Sequence, residues 1–329
     1  VPRGVKVELA PLTLAREPAH APAVMSHALV LHQYDTSPFS EKVRKVLAYK
    51  DLAWRAVEQP TIMPKPDLLP LTGGYRRIPV LQIDADVFCD TQLIVREIER
   101  RYPTPTIFPG GEATGLAWGL WADRLLFLPC VAVVFAEIGH LVPPAFIEDR
   151  TKMMPGRDFA DVPKAAPHAR EQMRGLVAML ETQLADGRPW LLGTDFSLAD
   201  AAVFHPLWFL RAAPGAPDVV LAGFDRVRAW MERMDALGSG RREPMTPADA
   251  LAIARDATPE PGRGVAPGEP NGLVAGQAVT VTPDDYAFDP VAGTIVTATP
   301  DEIAIARTDP AVGDVVVHFP RVGFRVAAA

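Results

Sequence analysis

Strand-like and helix-like periods alternate through residues 28–102 in an order that few folds accept. Ala28 to Tyr34 is a short β-prone run, and Thr36-Ser37-Pro38 then opens a helical pattern that continues through Lys50. Trp54 to Glu58 reads as a second strand, followed by the proline-rich stretch Pro60 to Pro70 and the turn Thr72-Gly73-Gly74. Ile78 to Ile83 and Asp86 to Cys89 read as two strands around a turn, after which Asp90-Thr91 caps a helix running to Tyr102. The order is β-α-β and then β-β-α. It predicts an α/β thioredoxin-like N-terminal domain over residues 27–104, a mixed sheet with helices packed on it.

From Thr114 the period becomes helical, over Leu116–Gly139, Pro167–Ala185, Leu198–Leu210 and Val219–Leu237, with one more short helix from Thr246 to about Ala257. This predicts an all-α helical domain over residues 112–257. Residues 258–272 hold four Pro and four Gly, a linker by composition. Beyond it, Ala278–Thr282, Thr294–Thr297, Glu302–Ala306, Val315–Phe319 and Gly323–Val326 are short and β-branched, with turn residues between them. They predict a small C-terminal all-β module over residues 273–329, barrel-like, and too short to be robust unless docked on the body. Val1-Pro2-Arg3-Gly4 looks like the remnant of a cleaved tag, and residues 1–26 are set apart as a tag or upstream extension.

Hydrophobic residues make up 48% of the chain and charged residues 22%, which excludes disorder as its main state. A net charge of −7 argues against the electrostatic footprint of a nucleic-acid or anionic-membrane binder, so neither partner is expected. The apolar run Leu125–Ala136 stops at Glu137, short of the roughly 18 residues of a spanning helix, and reads as a buried helix. Cys89 and Cys130 are too few for a disulfide scaffold or a Cys-rich zinc site, and a reducing cytoplasmic setting is expected. His32, His140, His168, His205 and His318 are scattered without ligand spacing, so no metal is expected.

Local motifs join the element order. Tyr34-Asp35-Thr36-Ser37-Pro38-Phe39-Ser40-Glu41-Lys42-Val43-Arg44 resembles the active-site turn of zeta, omega and related bacterial glutathione transferases. The first motif position, Cys in omega-like members, is Ser37 here. Arg77-Ile78-Pro79-Val80-Leu81 resembles that family's cis-proline strand, and Cys89-Asp90-Thr91 its acidic-residue and hydroxyl pair at the next helix. The resemblance covers residues 27–238; the β module goes beyond the family's two-domain plan. It implies glutathione as co-substrate, a small electrophilic substrate, and a homodimer pairing the first domain of one subunit with the helical domain of the other. Lys65-Pro66, fourteen residues before Pro79, resembles the omega class, whose lysine there binds the glycyl carboxylate; Arg76 and Arg77 are the runners-up. Ser197-Leu198-Ala199-Asp200 resembles the capping box of the helical domain, and Trp118 and Trp121 lie on the helix that borders the electrophile pocket.

The chemistry has its own logic. A free thiol with a pKa of about 8.5 is only a few per cent thiolate at neutral pH, so a conjugating enzyme must stabilise the anion. A hydrogen bond to a charged group contributes roughly 1.5–3 kcal/mol and a helix N-terminus about 0.3–1, together a drop of about one to three pKa units. Ser37, with Pro38 at the first helical position, is placed to aim a hydroxyl at such a sulfur, and equally to act as a plain N-cap. Ser40 is the second-choice hydroxyl. A cis bond at Pro79 would free the N–H and C=O of Ile78 to pair strand-fashion with an extended peptide; the alternative is an ordinary edge-strand proline. Asp90 and Thr91 start a helix whose free N–H groups can bind a carboxylate while the Asp side chain holds an ammonium, a role compatible with simple capping.

The absence of Cys at position 37 disfavours thiol–disulfide exchange, which needs a protein thiolate. Cys89 lies too far along the motif to be the nucleophile. Pro283-Asp284-Asp285-Tyr286 and Asp289-Pro290 read as turn chemistry. A second reading has Asp284, Asp285, Tyr286, His318 and Arg321 converging at one end of the β module, or the module screening the active-site mouth. The sequence therefore predicts activation of the glutathione thiol at Ser37 for attack on a small electrophile; the alternative is a non-catalytic glutathione- or partner-binding protein.

Overall fold

The computed structural model describes residues 27–329, and the expected tag or upstream extension lies outside the described residues. The first half runs β1 (Val30–Gln33), α1 (Pro38–Tyr49), β2 (Ala53–Glu58), α2 (Leu69–Thr72), β3 (Val80–Ile83), β4 (Asp86–Cys89) and α3 (Thr91–Arg101), the thioredoxin-like order. β1 lies parallel to β2 and antiparallel to β3, and β4 closes a hairpin on β3. Leu31 and Leu81 of the sheet meet Val43, Val46 and Leu47 of α1 and Ile94 and Ile98 of α3, all fully buried, which is why both helices carry an apolar stripe.

The helical half runs α4 (Glu112–Trp121), a π-helical turn Ala122–Leu126, α5 (Phe127–Ile138), α6 (Pro144–Lys152), α7 (Ala166–Gln183), α8 (Leu198–Phe209), α9 (Ala216–Val220) and α10 (Asp225–Ala236). α6 is not in the sequence reading. Pro143-Pro144 looks like a break, yet a proline at the first turn costs a helix nothing, because that N–H has no intrahelical partner. α4, the π turn and α5 join into one helix that, with the following 3₁₀ turn, spans Glu112–Leu141 and by length and composition alone could cross a membrane. In the fold its seam of Gly115, Gly119, Ala122, Leu126, Cys130 and Val133 is packed into the helical core. Ser197 and Asp200 form the expected capping box at α8, and Asp200 also accepts from the Leu191 N–H and from Trp230 Nε1.

The chain then returns to the sheet. β5 (Arg241–Pro244) adds in parallel to β2, and α11 (Pro247–Asp256) follows. The linker is ordered: β6 (Gly264–Val265) pairs with β8. β7 (Ala278–Pro283), β8 (Val291–Ala298), β9 (Glu302–Asp309), β10 (Gly313–Pro320) and β11 (Phe324–Ala328) complete the chain. They are all-β, as expected. They continue one sheet in the order β11-β7-β8-β9-β10-β4-β3-β1-β2-β5, and the expected barrel-like closure does not form because β10 takes its second neighbour from β4. The extension packs closely: a Cβ added at Gly73, which has φ +70°, would stand 2.6 Å from Arg307 Nε.

A largely buried histidine sits at the β4–β10 seam. His318 Nδ1 bonds Glu302 at 2.6 Å, Nε2 bonds Asp86 at 2.8 Å, and the ring stacks on Phe88 with centroids 4.3 Å apart. Burial by itself would depress the imidazolium, but the hydrogen bonds and charges of Asp86 and Glu302 outweigh it and hold the His318 pKa above its usual value. Arg263 also faces Glu302, and Arg96 and Arg263 face the neighbouring Asp301. A raised pKa stabilises the fold fully below the unfolded value of about 6.5, and the gain is lost as pH rises through the folded value. The urea midpoint should therefore fall on the alkaline side of pH 6.5, and His318→Gln should flatten that dependence. An identical pH profile in the variant would remove the role from His318.

Candidate active site

One rung of the sheet gathers the sequence-predicted residues. His32 of β1 pairs with Val80 of β3, and Val80 pairs with Cys89 of β4. The turn to Ser37 leaves just after the first, Ile78 and Pro79 immediately precede the second, and Asp90 and Thr91 follow the third. Three segments distant in sequence thus reach one end of the sheet, where the N-termini of α1 and α3 also lie.

Each residue occupies the expected local geometry. Ser37 is the N-cap of α1, its Oγ accepting the Ser40 N–H at 3.2 Å, which leaves the hydroxyl proton free to donate. Ser40 Oγ is buried without a partner among the described residues. The Ile78–Pro79 bond is cis, and the Ile78 N–H and C=O make no hydrogen bond among the described residues. Asp90 adopts φ +71° and caps α3 by accepting the Gln92 N–H at 2.9 Å. Burial holds its carboxyl above the usual range, with the Gln92 N–H and the charges of Arg77 and Lys42 opposing the shift. Cys89 is fully buried, and burial pushes its thiol well up, which makes it inert.

Lys65 is buried beside Tyr34, its Nζ 5.7 Å from the ring centroid and bonded to the Pro60 carbonyl. Burial, reinforced by Arg150 and Arg76, brings its pKa down to about 8. Among the described residues Arg76 and Arg150 share a single acid, Asp149 of α6, and Arg76 Nε is buried without a partner. Three cations against one carboxylate leave a local positive excess in an acidic protein.

A charged network beneath α3 is absent from the sequence reading. Lys42 of α1, 1% exposed, donates from Nζ to Thr91 Oγ1 at 3.0 Å and to Asp123 of the π turn at 2.8 Å. Asp123 also accepts from His205 Nε2 of α8 at 2.9 Å. Burial alone would raise Asp123, but the Lys42 charge and the His205 hydrogen bond hold it below the usual range. His205 Nδ1 has no partner among the described residues, and burial keeps the ring neutral. Because Thr91 Oγ1 accepts from Lys42, its own proton points elsewhere, available to a ligand. The signal was three ionisable residues on otherwise apolar helix faces.

The imagined convergence of five polar groups in the extension divides in two. His318 is held at the seam and Arg321 pairs with Glu269 at 3.1 Å, whereas Asp284 and Asp285 lie 3.6 and 4.0 Å from Arg124. Asp285 also pairs with Arg77 at 2.5 Å.

Comparison with known proteins bears on the family and the fold. The glutathione S-transferase N-terminal domain family matches residues 31–106, and the corresponding C-terminal domain family matches residues 163–233. A curated relative, glutathione S-transferase U3 of Arabidopsis thaliana, is 23% identical over 177 residues, covering 54% of this chain and 68% of the relative. A crystal structure of a glutathione S-transferase from Rhodospirillum rubrum shares the fold at 21% identity with a TM-score of 0.51, and covers 64% of this chain and 89% of its own. A GST-like protein from Pseudomonas syringae is 36% identical with a TM-score of 0.78 and covers 92% of this chain and 100% of its own, so its match reaches into the β extension. That full-length likeness, together with both domain matches, makes this chain a member of the glutathione S-transferase family.

Proposed function

We propose that the protein is a glutathione transferase that ionises the glutathione thiol at the start of α1 and presents the thiolate to a small electrophile. The observation that carries this is the rung His32–Val80–Cys89, which brings Ser37, the free peptide edge of Ile78 and the capped N-terminus of α3 to one end of the sheet in a chain of this family. The cysteinyl backbone of glutathione pairs with Ile78 beside Pro79, and its γ-glutamyl end meets Asp90 and Thr91, ammonium to the carboxylate and carboxylate to the helix N–H groups. The glycyl carboxylate takes the positive excess at Lys65, Arg76 and Arg150. Ser37 Oγ–H then donates to the sulfur, the thiol proton leaves to solvent, and the thiolate forms the new C–S bond as the electrophile's leaving group departs. Serine at this position, where omega-like members carry cysteine, supports conjugation over thiol–disulfide exchange, which needs a protein thiolate.

Ser37→Ala should raise the pKa of the bound thiol by about one to two units, the equivalent of one charge-assisted hydrogen bond, while glutathione affinity at pH below that pKa is nearly unchanged. Thiolate absorbance against pH reads this directly. If Ser40→Ala moves the titration and Ser37→Ala does not, the hydroxyl is Ser40. Asp90→Ala should weaken glutathione binding by about 1.5–3 kcal/mol in calorimetry, and unchanged affinity would remove Asp90 from the site. Glutathione binding without turnover on any electrophile would favour the non-catalytic binder.

A further inference from the structure

The loop between β7 and β8 leaves the extension and reaches the corner of the site before it returns. Asp285 pairs with Arg77, the residue before Ile78, and the Tyr286 carbonyl accepts from the same guanidinium. The Tyr286 ring lies over that guanidinium, 3.7 Å from its carbon. The next residue crosses to the helical half, where the Ala287 N–H donates to the Met153 carbonyl at 2.7 Å. Asp284 and Asp285 also face Arg124 on the π turn. One short loop therefore touches the cis-proline corner and two separate segments of the helical half.

The loop is held in this course at a cost. Ala287 adopts φ +48° although it has a Cβ, a strained conformation that persists only where surrounding contacts impose it. The contacts that impose it are the Tyr286 ring and carbonyl, the Asp285 carboxylate and the Ala287 N–H. None of them uses the Tyr286 hydroxyl, which has no hydrogen-bond partner among the described residues. Burial holds this phenol above its usual pKa, with Arg77 opposing and Asp285 and Asp90 adding to the effect, so it stays protonated and is a donor at neutral pH.

We propose that Tyr286 is a specificity-determining residue of the glutathione site: the 284–290 loop forms a third wall beside Arg77, and the Tyr286 hydroxyl donates to the bound tripeptide where it passes from Ile78 toward Asp90. This rests on the glutathione reading above. Arg77, Asp285 and the ring position the hydroxyl; the hydroxyl itself makes the contact.

Calorimetry of the full-length protein with glutathione, alongside thermal unfolding, separates recognition from packing. Tyr286→Phe keeps the ring on Arg77 and every backbone contact of the loop, so its unfolding midpoint should match wild type while glutathione binds about two- to tenfold more weakly, the equivalent of one hydrogen bond. Asp285→Asn, which loosens the Arg77 pair, should weaken binding as well. Wild-type affinity in Tyr286→Phe, with or without a lowered midpoint, overturns the proposal and leaves the loop a docking element. A wild-type protein that gives no binding heat with glutathione overturns the transferase reading and this proposal together, whereas a binding wild type with an unaffected Tyr286→Phe overturns this one alone.

Discussion

Ending the chain at Ala257 is expected to leave no soluble, folded thioredoxin-like half. Leu68, Leu71, Tyr75, Val80 and Val87 belong to the same buried cluster as Val279, Val281, Ile303, Ile305, Phe319 and Phe324 of the extension. Removing the extension puts that cluster in water and strips the neighbour from β4, whose unpaired backbone then invites pairing with other chains. It also leaves Arg77, only 8% exposed, without its carboxylate, its carbonyl and its stacked ring. Soluble yield and far-UV circular dichroism of the truncated chain test this. A soluble monomeric fragment with undiminished secondary structure would show that the extension is an accessory.

Lys42→Met should cost about 3–5 kcal/mol of unfolding free energy, because it strands the Asp123 carboxylate beside a neutral histidine in a largely buried place. The double variant Lys42→Met, Asp123→Asn should recover much of the loss. It removes both charges, and the amide oxygen still accepts from His205 Nε2. Urea unfolding of the two single variants and the pair gives the coupling. Additive losses would mean that the two charges act independently. Because Lys42 also sets the orientation of Thr91, the double variant should still bind glutathione less well than wild type after its stability has returned.

The parts of this fold legible in the sequence are those governed by local rules. Ser37-Pro38 and Asp90-Thr91 are capping signals that act within one helical turn, and both sit where the spacing predicts. The cis-proline strand was legible because its residues also formed a family motif. β5 was not: Arg241-Arg242-Glu243-Pro244 is exposed along its length, so it has no alternating face to read and is held by pairing with β2 and by ion pairs of Arg241 with Asp51 and of Arg242 with Asp35. The five strands of the extension were legible as strands, but their joining to β4 was not, since partner choice between distant strands leaves no mark in the local period. For the same reason the Lys42–Asp123–His205 network and the contact of Tyr286 with Arg77 appear only once helices and loops far apart in the chain are brought together.

Both outer strands of the thioredoxin-like sheet find their neighbours in segments made after the helical domain: β2 is completed by β5 and β4 by β10. Translation therefore imposes a waiting period. At about 5–20 residues per second, roughly ten to fifty seconds separate the emergence of Cys89 from that of Pro320. Throughout that interval the ribosome carries a sheet with a bare β4 edge and half of an apolar cluster. Slow synthesis or stalling within the helical domain should thus be more damaging to this protein than to a family member whose sheet is complete before its helices begin, and chaperone demand should peak on nascent chains that have passed residue 104 and not yet reached residue 320.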